Sequence, residues 1–197
     1  MKKNILKFVA ESELPNEIAS FKVHAFTEIN ETKDHLAITL GKFDAAKPVL
    51  TRIHSQCITG ESLFSLRCDC RFQLTESLKL IAKIGNGVVF YLQQEGRGIG
   101  LSNKIKAYKL QDEGFDTVEA NHQLGFSEDE RTYDIVSAMA KHLNINKIDL
   151  MTNNPKKIEA IKKAGLIINK RIPIKSESND YNKEYLETKI KKLGHLL

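Results

Sequence analysis

The chain has 197 residues, 41% of them hydrophobic and 28% charged, a balance that suits one globular domain with its own core and excludes disordered and fibrous classes. Its apolar runs are short, Gly87–Leu92 among the longest, far below the ~20 residues of a membrane-spanning helix; the opening MKKNILKFVAESEL lacks the apolar stretch of a signal peptide, so a cytoplasmic protein is expected. The formal net charge of +5 and pI near 9.0 favour anionic partners, although the lysines are dispersed as on a solvated surface.

In chain order, the first fifty residues read as strands. Phe21, Val23 and Ala25 alternate with Lys22 and His24, and Leu36–Leu40 and Val49–Ile53 follow after polar turns. Leu74, Leu78 and Ile81 then form a helical stripe that Gly85-Asn86-Gly87 breaks, and Val88–Leu92 reads as a buried strand. Leu101, Ile105 and Tyr108 mark a second helix, and Ile135, Met139 and Leu143 a third. Lys147–Met151 is a strand. Asn154 as N-cap with Pro155 at the first helical position opens another helix, which Gly165 ends. A last helix carries Leu186, Ile190 and Leu193. No repeat, low-complexity tract or linker interrupts the pattern. It predicts one α/β domain over residues 1–197, a mixed sheet with an antiparallel N-terminal part and helices packed on its faces.

Three cysteines, Cys57, Cys68 and Cys70, fall within fourteen residues. Cys68-Asp69-Cys70 reads as strand-like, with the two thiols poorly placed to pair with each other. Three thiolates on one zinc leave a fourth position open, which is the mark of a catalytic site. Three reduced thiols packed as small hydrophobes would fit the same count, and His54 is a candidate fourth ligand that would close the site. An open zinc supplies Lewis acidity and an activated water, suited to hydrolysis of an amidine or amide.

Two segments suit phosphate. Gln94–Gly100 (QEGRGIG) lies between a predicted strand and helix, where glycines admit a ligand and Arg97 offers a fork to an anion; an ordinary tight turn is the plainer reading. Thr152–Lys157 (TNNPKK) opens a helix with free N–H groups, a hydroxyl and lysines, as a well-capped solvated helix also would. Between them, Asp129 is a candidate general base and Arg131 a candidate phosphate ligand. Tyr108, on its helical stripe, reads by default as core.

Together these segments resemble the GTP cyclohydrolase II family. The matching stretches are RIHSQCITGESLFSLRCDC (Arg52–Cys70), FQL (Phe72–Leu74), QEGRGIGLSNKIKAY (Gln94–Tyr108), LQDEGFDTVEANHQLGF (Leu110–Phe126), DER (Asp129–Arg131), TNNPKK and GHLL (Gly194–Leu197). The resemblance implies hydrolysis of GTP to 2,5-diamino-6-(5-phosphoribosylamino)pyrimidin-4-one, formate and pyrophosphate, the first committed step of riboflavin synthesis. It implies zinc on Cys57, Cys68 and Cys70, and Mg2+ with the triphosphate. GTP contacts would come from Arg52, Ile53, His54, Ser55, Gln56, Gln73, Glu95, Gly96, Arg97, Thr117, Thr152 and Lys157. Asp129 matches the proton acceptor, Arg131 the residue described as nucleophile toward the α-phosphate, and Tyr108 a tyrosine beside the opening ring. A homodimer is implied as well.

A guanidinium with pKa above ~12 has no free lone pair, so either Asp129 deprotonates Arg131 during attack or Arg131 only clamps the phosphate. Gln56, Arg71 and Thr132 depart from the family's usual residues, an acid, a glycine and an acid respectively. Two alternatives are a related enzyme that stops at the formamide or serves another pathway, and a non-catalytic zinc-stabilised module binding nucleic acid. The module requires a Lys/Arg stripe interleaved with aromatics, which the sequence lacks.

Overall fold

Strand β4 (Val49–Ser55) is buried from Val49 to His54, as a strand flanked by parallel neighbours and covered on both faces must be. The computed structural model describes residues 6–29, 31 and 33–196. Residues 1–5 of the segment read for a signal peptide, and Leu197 of the GHLL motif, lie outside them. The other strands are β1 (Leu6–Pro15), β2 (Ser20–Glu28), β3 (Asp34–Leu40), β5 (Gly87–Leu92), β6 (Lys147–Met151) and β7 (Ile167–Ile172). They form a seven-stranded sheet in the order β1-β2-β3-β5-β4-β6-β7.

Pairing is antiparallel from β1 through β3 to β5 and parallel between β5, β4, β6 and β7. The parallel half needs crossovers, which helices supply. Helix α1 (Ile58–Glu61) and helix α2 (Cys70–Ile84) join β4 to β5. A 3-10 turn (Glu95–Gly98), α3 (Leu101–Asp112), α4 (Thr117–Gln123) and α5 (Asp134–His142) lie between β5 and β6. Helix α6 (Pro155–Lys163) joins β6 to β7, and α7 (Lys183–Lys191) follows. The loops after β4, β5 and β6 consequently leave the sheet at the same end, where open parallel sheets bind ligands.

Alternating strand residues build two cores. Val49, Ile53, Val88, Phe90, Ile148 and Leu150 pack with Ile135, Val136 and Met139 of α5 and Ile161 of α6. Leu50, Val89 and Met151 point the other way, onto Ile81 of α2 together with Phe21 and Ile38. Gly85 ends α2 at φ 76°, returning its N–H to Ile81 O, a left-handed cap that favours glycine.

The mixed sheet with its antiparallel N-terminal part is as the sequence predicts, and so are Asn154 and Pro155 at the start of α6. Strand β7 and helices α1 and α4 are not among the predicted elements, and β1 falls within the first fifty residues read as strands without being placed there. Cys68-Asp69-Cys70 is not strand: Asp69 is the N-cap position and Cys70 the first residue of α2. In α3 the apolar stripe is not the inner face, for Leu101 and Ile105 are 40% and 49% exposed while Lys104 and Ala107 are buried. Among the described residues no helix is long and apolar enough to cross a membrane.

Phe90, fully buried at the middle of the sheet, tests this packing. Phe90→Ala should lower the unfolding free energy by about 3–5 kcal/mol in urea titrations; a loss below about 1 kcal/mol would contradict its place in the core.

Candidate active site

A cleft of about 1130 Å3, open to solvent, lies at the ends of β4, β5 and β6. Along its wall the Sγ atoms of Cys57, Cys68 and Cys70 all lie within 4.8 Å of one another, with 3.7 Å between Cys57 and Cys68. Tetrahedral zinc with ~2.3 Å bonds to sulfur has S···S edges of ~3.8 Å, so the trio fits such an ion. Gly60 makes room for it: a Cβ there would stand 2.6 Å from Cys68 Sγ and 3.2 Å from Cys57 Sγ. Hydrogen bonds from Cys68 and Cys70 pull the Cys57 thiol far below its usual range, and Lys104 adds to the shift. The same sharing pushes Cys68 up to about 11. His54 is not in the sulfur group; its Nε2 lies 2.8 Å from Glu61 Oε1, which argues against it as a fourth ligand.

Lys104 stands behind the trio. Its Nζ donates to Cys57 Sγ at 3.1 Å, Thr59 Oγ1 at 2.7 Å and Glu95 Oε1 at 2.8 Å. Burial works against this charge, but Glu95 and Cys57 more than offset it and hold the ammonium above the usual lysine range. Glu95 also accepts from Ile58 N at 2.6 Å, so it fastens the turn after β5 to the start of α1. Tyr108 shares the wall, its hydroxyl 3.3 Å from Thr59 Oγ1 and its ring under the Arg67 guanidinium at 4.6 Å. Its ring lines the cleft, which replaces the core reading. Burial raises its pKa, keeping the hydroxyl protonated at neutral pH.

Cations line the cleft as well. Arg131 makes a two-pronged pair with Asp129, Nε to Oδ1 at 2.7 Å and Nη2 to Oδ2 at 2.6 Å, and Nη1 reaches Ser55 Oγ at 3.4 Å. Burial disfavours the guanidinium, yet Tyr133 and Asp129 outweigh it and raise the Arg131 pKa. Burial likewise opposes ionisation of Asp129, but Arg131 brings its carboxyl below the usual range. Lys157 donates to Ile53 O at 2.8 Å. Burial, then the neighbouring Arg52 and Arg131, push this ammonium well below the usual lysine value. Arg52 donates to Met151 O at 2.8 Å and to Gln73 Oε1. Arg97 sits at φ 60° in the left-handed region, strained for a non-glycine residue. A Cβ on the following Gly98 would meet Glu130 backbone at 3.1 Å, so the turn presses against the Asp129–Arg131 segment.

Among the described residues, Arg52 Nε, His54 Nδ1 and Gln94 Oε1 are buried without a partner, and all three residues line the cleft. Buried polar atoms are seldom left unpaired; here all three belong to side chains at the cleft wall.

The sequence profile described as GTP cyclohydrolase II matches residues 7–173. The chain is 55% identical to the GTP cyclohydrolase-2 of Azotobacter vinelandii, over 96% of this chain and 91% of that protein. It is 51% identical to that of Shewanella amazonensis, over 98% and 94%. The chain belongs to the GTP cyclohydrolase II family. It is therefore an enzyme, and the binding-module alternative falls away. A two-domain 3,4-dihydroxy-2-butanone 4-phosphate synthase from A. baumannii shares the fold alone, at 16% identity and a TM-score of 0.50, with 89% of this chain covering 42% of that one.

Of the residues the family resemblance singled out, all but Ile53 and Asp129 line the cleft. Ile53 is fully buried in the core and offers its carbonyl to Lys157; Asp129 stands behind Arg131. Thr117 begins α4 beside a capping box between Asp116 and Glu119. Of the departures from the family pattern, Arg71 lies over the Phe64 ring at 4.3 Å, outside the cleft lining, and Thr132 gives its carbonyl to Gln94 Nε2 at 2.6 Å. Gln56 lines the cleft. Sequence reasoning missed Lys104, Gln94, Tyr185, Lys189 and His195, which line it too. Lys104, Gln94 and His195 stood inside the matched stretches QEGRGIGLSNKIKAY and GHLL, a signal that was present; Tyr185 and Lys189 had none.

Gly60→Ala isolates the metal pocket, since the substitution crowds two sulfurs without demanding an unusual φ. Competition with a chromophoric chelator should show metal affinity falling on the order of tenfold or more. Unfolding of the metal-stripped protein should change by less than about 1 kcal/mol, because alanine suits a helical position better than glycine.

Proposed function

We propose that the chain opens the guanine ring of GTP and cleaves its triphosphate, releasing formate and pyrophosphate and leaving 2,5-diamino-6-(5-phosphoribosylamino)pyrimidin-4-one, the first committed step of riboflavin synthesis. The observation that carries this reading is that one cleft holds both a three-thiol cluster and the cations Arg131, Lys157, Arg52 and Arg97. Crowded cations that depress one another's charge favour a polyanion, whose arrival would restore the Lys157 ammonium.

Zinc held by Cys57, Cys68 and Cys70 would supply Lewis acidity and a water of lowered pKa at its fourth position. The chain's own groups do the rest. Lys104 and Glu95 hold Cys57 and the start of α1 in place. Tyr108 keeps its proton and offers a hydrogen bond to the ring as the attacked carbon becomes tetrahedral. Arg131 remains cationic and has an N–H directed at Ser55 toward the cleft, which favours a clamp on the α-phosphate over a covalent nucleophile. Asp129, with both oxygens bonded to Arg131, serves this clamp by fixing its plane. Because Asp129 is thus engaged and Asp69 is bonded to Lys189, Mg2+ would arrive on the triphosphate rather than wait in a carboxylate site. Leu63, Phe64 and Leu66, exposed between Cys57 and Cys68, support a homodimer contact, and the cytoplasm is the compartment in which free thiols persist.

Purified protein should contain about one zinc per chain and yield formate and pyrophosphate from GTP. In Arg131→Ala both products should fall on the order of a hundredfold. In Tyr108→Phe formate should fall on the order of a hundredfold while pyrophosphate falls less. An active, zinc-free preparation would refute the mechanism, and a formylated product would replace it with the reaction that stops at the formamide.

A further inference from the structure

We propose that Lys189, on α7, is a positioning residue of this active site, acting through Asp69 on the start of α2, which carries two of the three thiols. The inference rests on the reading that Cys57, Cys68 and Cys70 hold zinc. The family profile ends at residue 173, yet the chain beyond it returns to the cleft. Leu196 N donates to Asn153 O at 2.8 Å, Asn153 Nδ2 donates to Ile174 O, and Tyr185, Lys189 and His195 line the cleft.

Asp69 stands between Cys68 and Cys70, with its side chain 1% exposed. Lys189 Nζ donates to its Oδ1 at 2.6 Å, and the Lys189 side chain is itself 7% exposed. Oδ2 accepts from Gln73 Nε2 at 2.6 Å and from Ser176 Oγ at 3.5 Å. Gln73 Oε1 in turn accepts from Arg52 Nη2. A single network therefore joins the C-terminal helix to the thiol loop and to the buried arginine of β4. The exposed ion pairs of α7, such as Lys191–Glu187, contribute little. The buried pair differs, because a carboxylate left without its cation in this setting must seek water. Asp69 would turn outward toward water or take up a proton, and either change would disturb Cys68 and Cys70, adjacent on either side.

The experiment compares zinc release to a chromophoric chelator, and KM for GTP, in the parent chain, Lys189→Met, Lys189→Arg, Asp69→Asn and the double variant. Lys189→Met should release zinc on the order of tenfold faster or more and raise KM, and Lys189→Arg should recover most of both. The double variant should match Asp69→Asn alone, since no carboxylate remains to be compensated. A role confined to docking α7 would instead make the two defects add, and that result, or a Lys189→Met variant that keeps zinc as firmly as the parent, overturns the proposal. If the parent itself binds no zinc, the metal reading fails separately. Positioning is then read from alkylation of Cys68 and Cys70, which should be on the order of tenfold faster in Lys189→Met under this proposal; an unchanged rate overturns it.

Discussion

Everything in the site depends on β4 running parallel to both of its neighbours. Parallel pairing with β5 on one side and β6 on the other sends the chain out of the sheet three times at one end. Those exits carry Ser55 to Cys57, Gln94 to Arg97 and Thr152 to Lys157. Segments about a hundred residues apart thereby reach hydrogen-bonding distance, as Lys157 does with Ile53 O and Arg52 with Met151 O. The antiparallel edge of β1 to β3 leaves this geometry alone. Its role is to extend the sheet and bury Phe21 and Phe26 on opposite faces.

Polar burial on β4 follows from the same constraint. Arg52 and His54 are almost inaccessible, on a strand where hydrophobic residues would pack more cheaply. Arg52 is pushed down to about 10 by burial, and burial lowers the pKa of His54, leaving the ring neutral. Such groups cost stability unless they are hydrogen-bonded. Each has one side satisfied by protein and one nitrogen unpaired, on side chains that line the cleft.

Much of the fold was legible because apolar periodicity reports burial. β2 to β6 and most helices announce themselves that way. β1 does not, since Glu11 and Glu13 face solvent on an edge and its residues beyond Phe8 are exposed; β7 is similarly exposed. Helix α4 is short, yet its capping box was readable in Asp116 and Glu119. The cysteine trio and the two phosphate segments were visible as local motifs, and the family resemblance joined them. What local sequence could not display were partners distant in the chain. Lys104 flanks the apolar stripe of α3, and its buried partners Cys57, Thr59 and Glu95 come from other parts of the chain. Lys189 is one lysine among many until Asp69 comes to meet it.

The left-handed backbone at Arg97 has a consequence for anyone seeking a sturdier protein. Glycine would relax that position, and a search guided by backbone ease alone would choose it, with a gain on the order of 1 kcal/mol. The same exchange would remove a guanidinium from the cleft proposed to take the triphosphate. If Arg97 meets the triphosphate as proposed, position 97 is a place where selection for thermal tolerance and selection for turnover pull in opposite directions, and a stability screen run without an activity screen would lead away from the working enzyme.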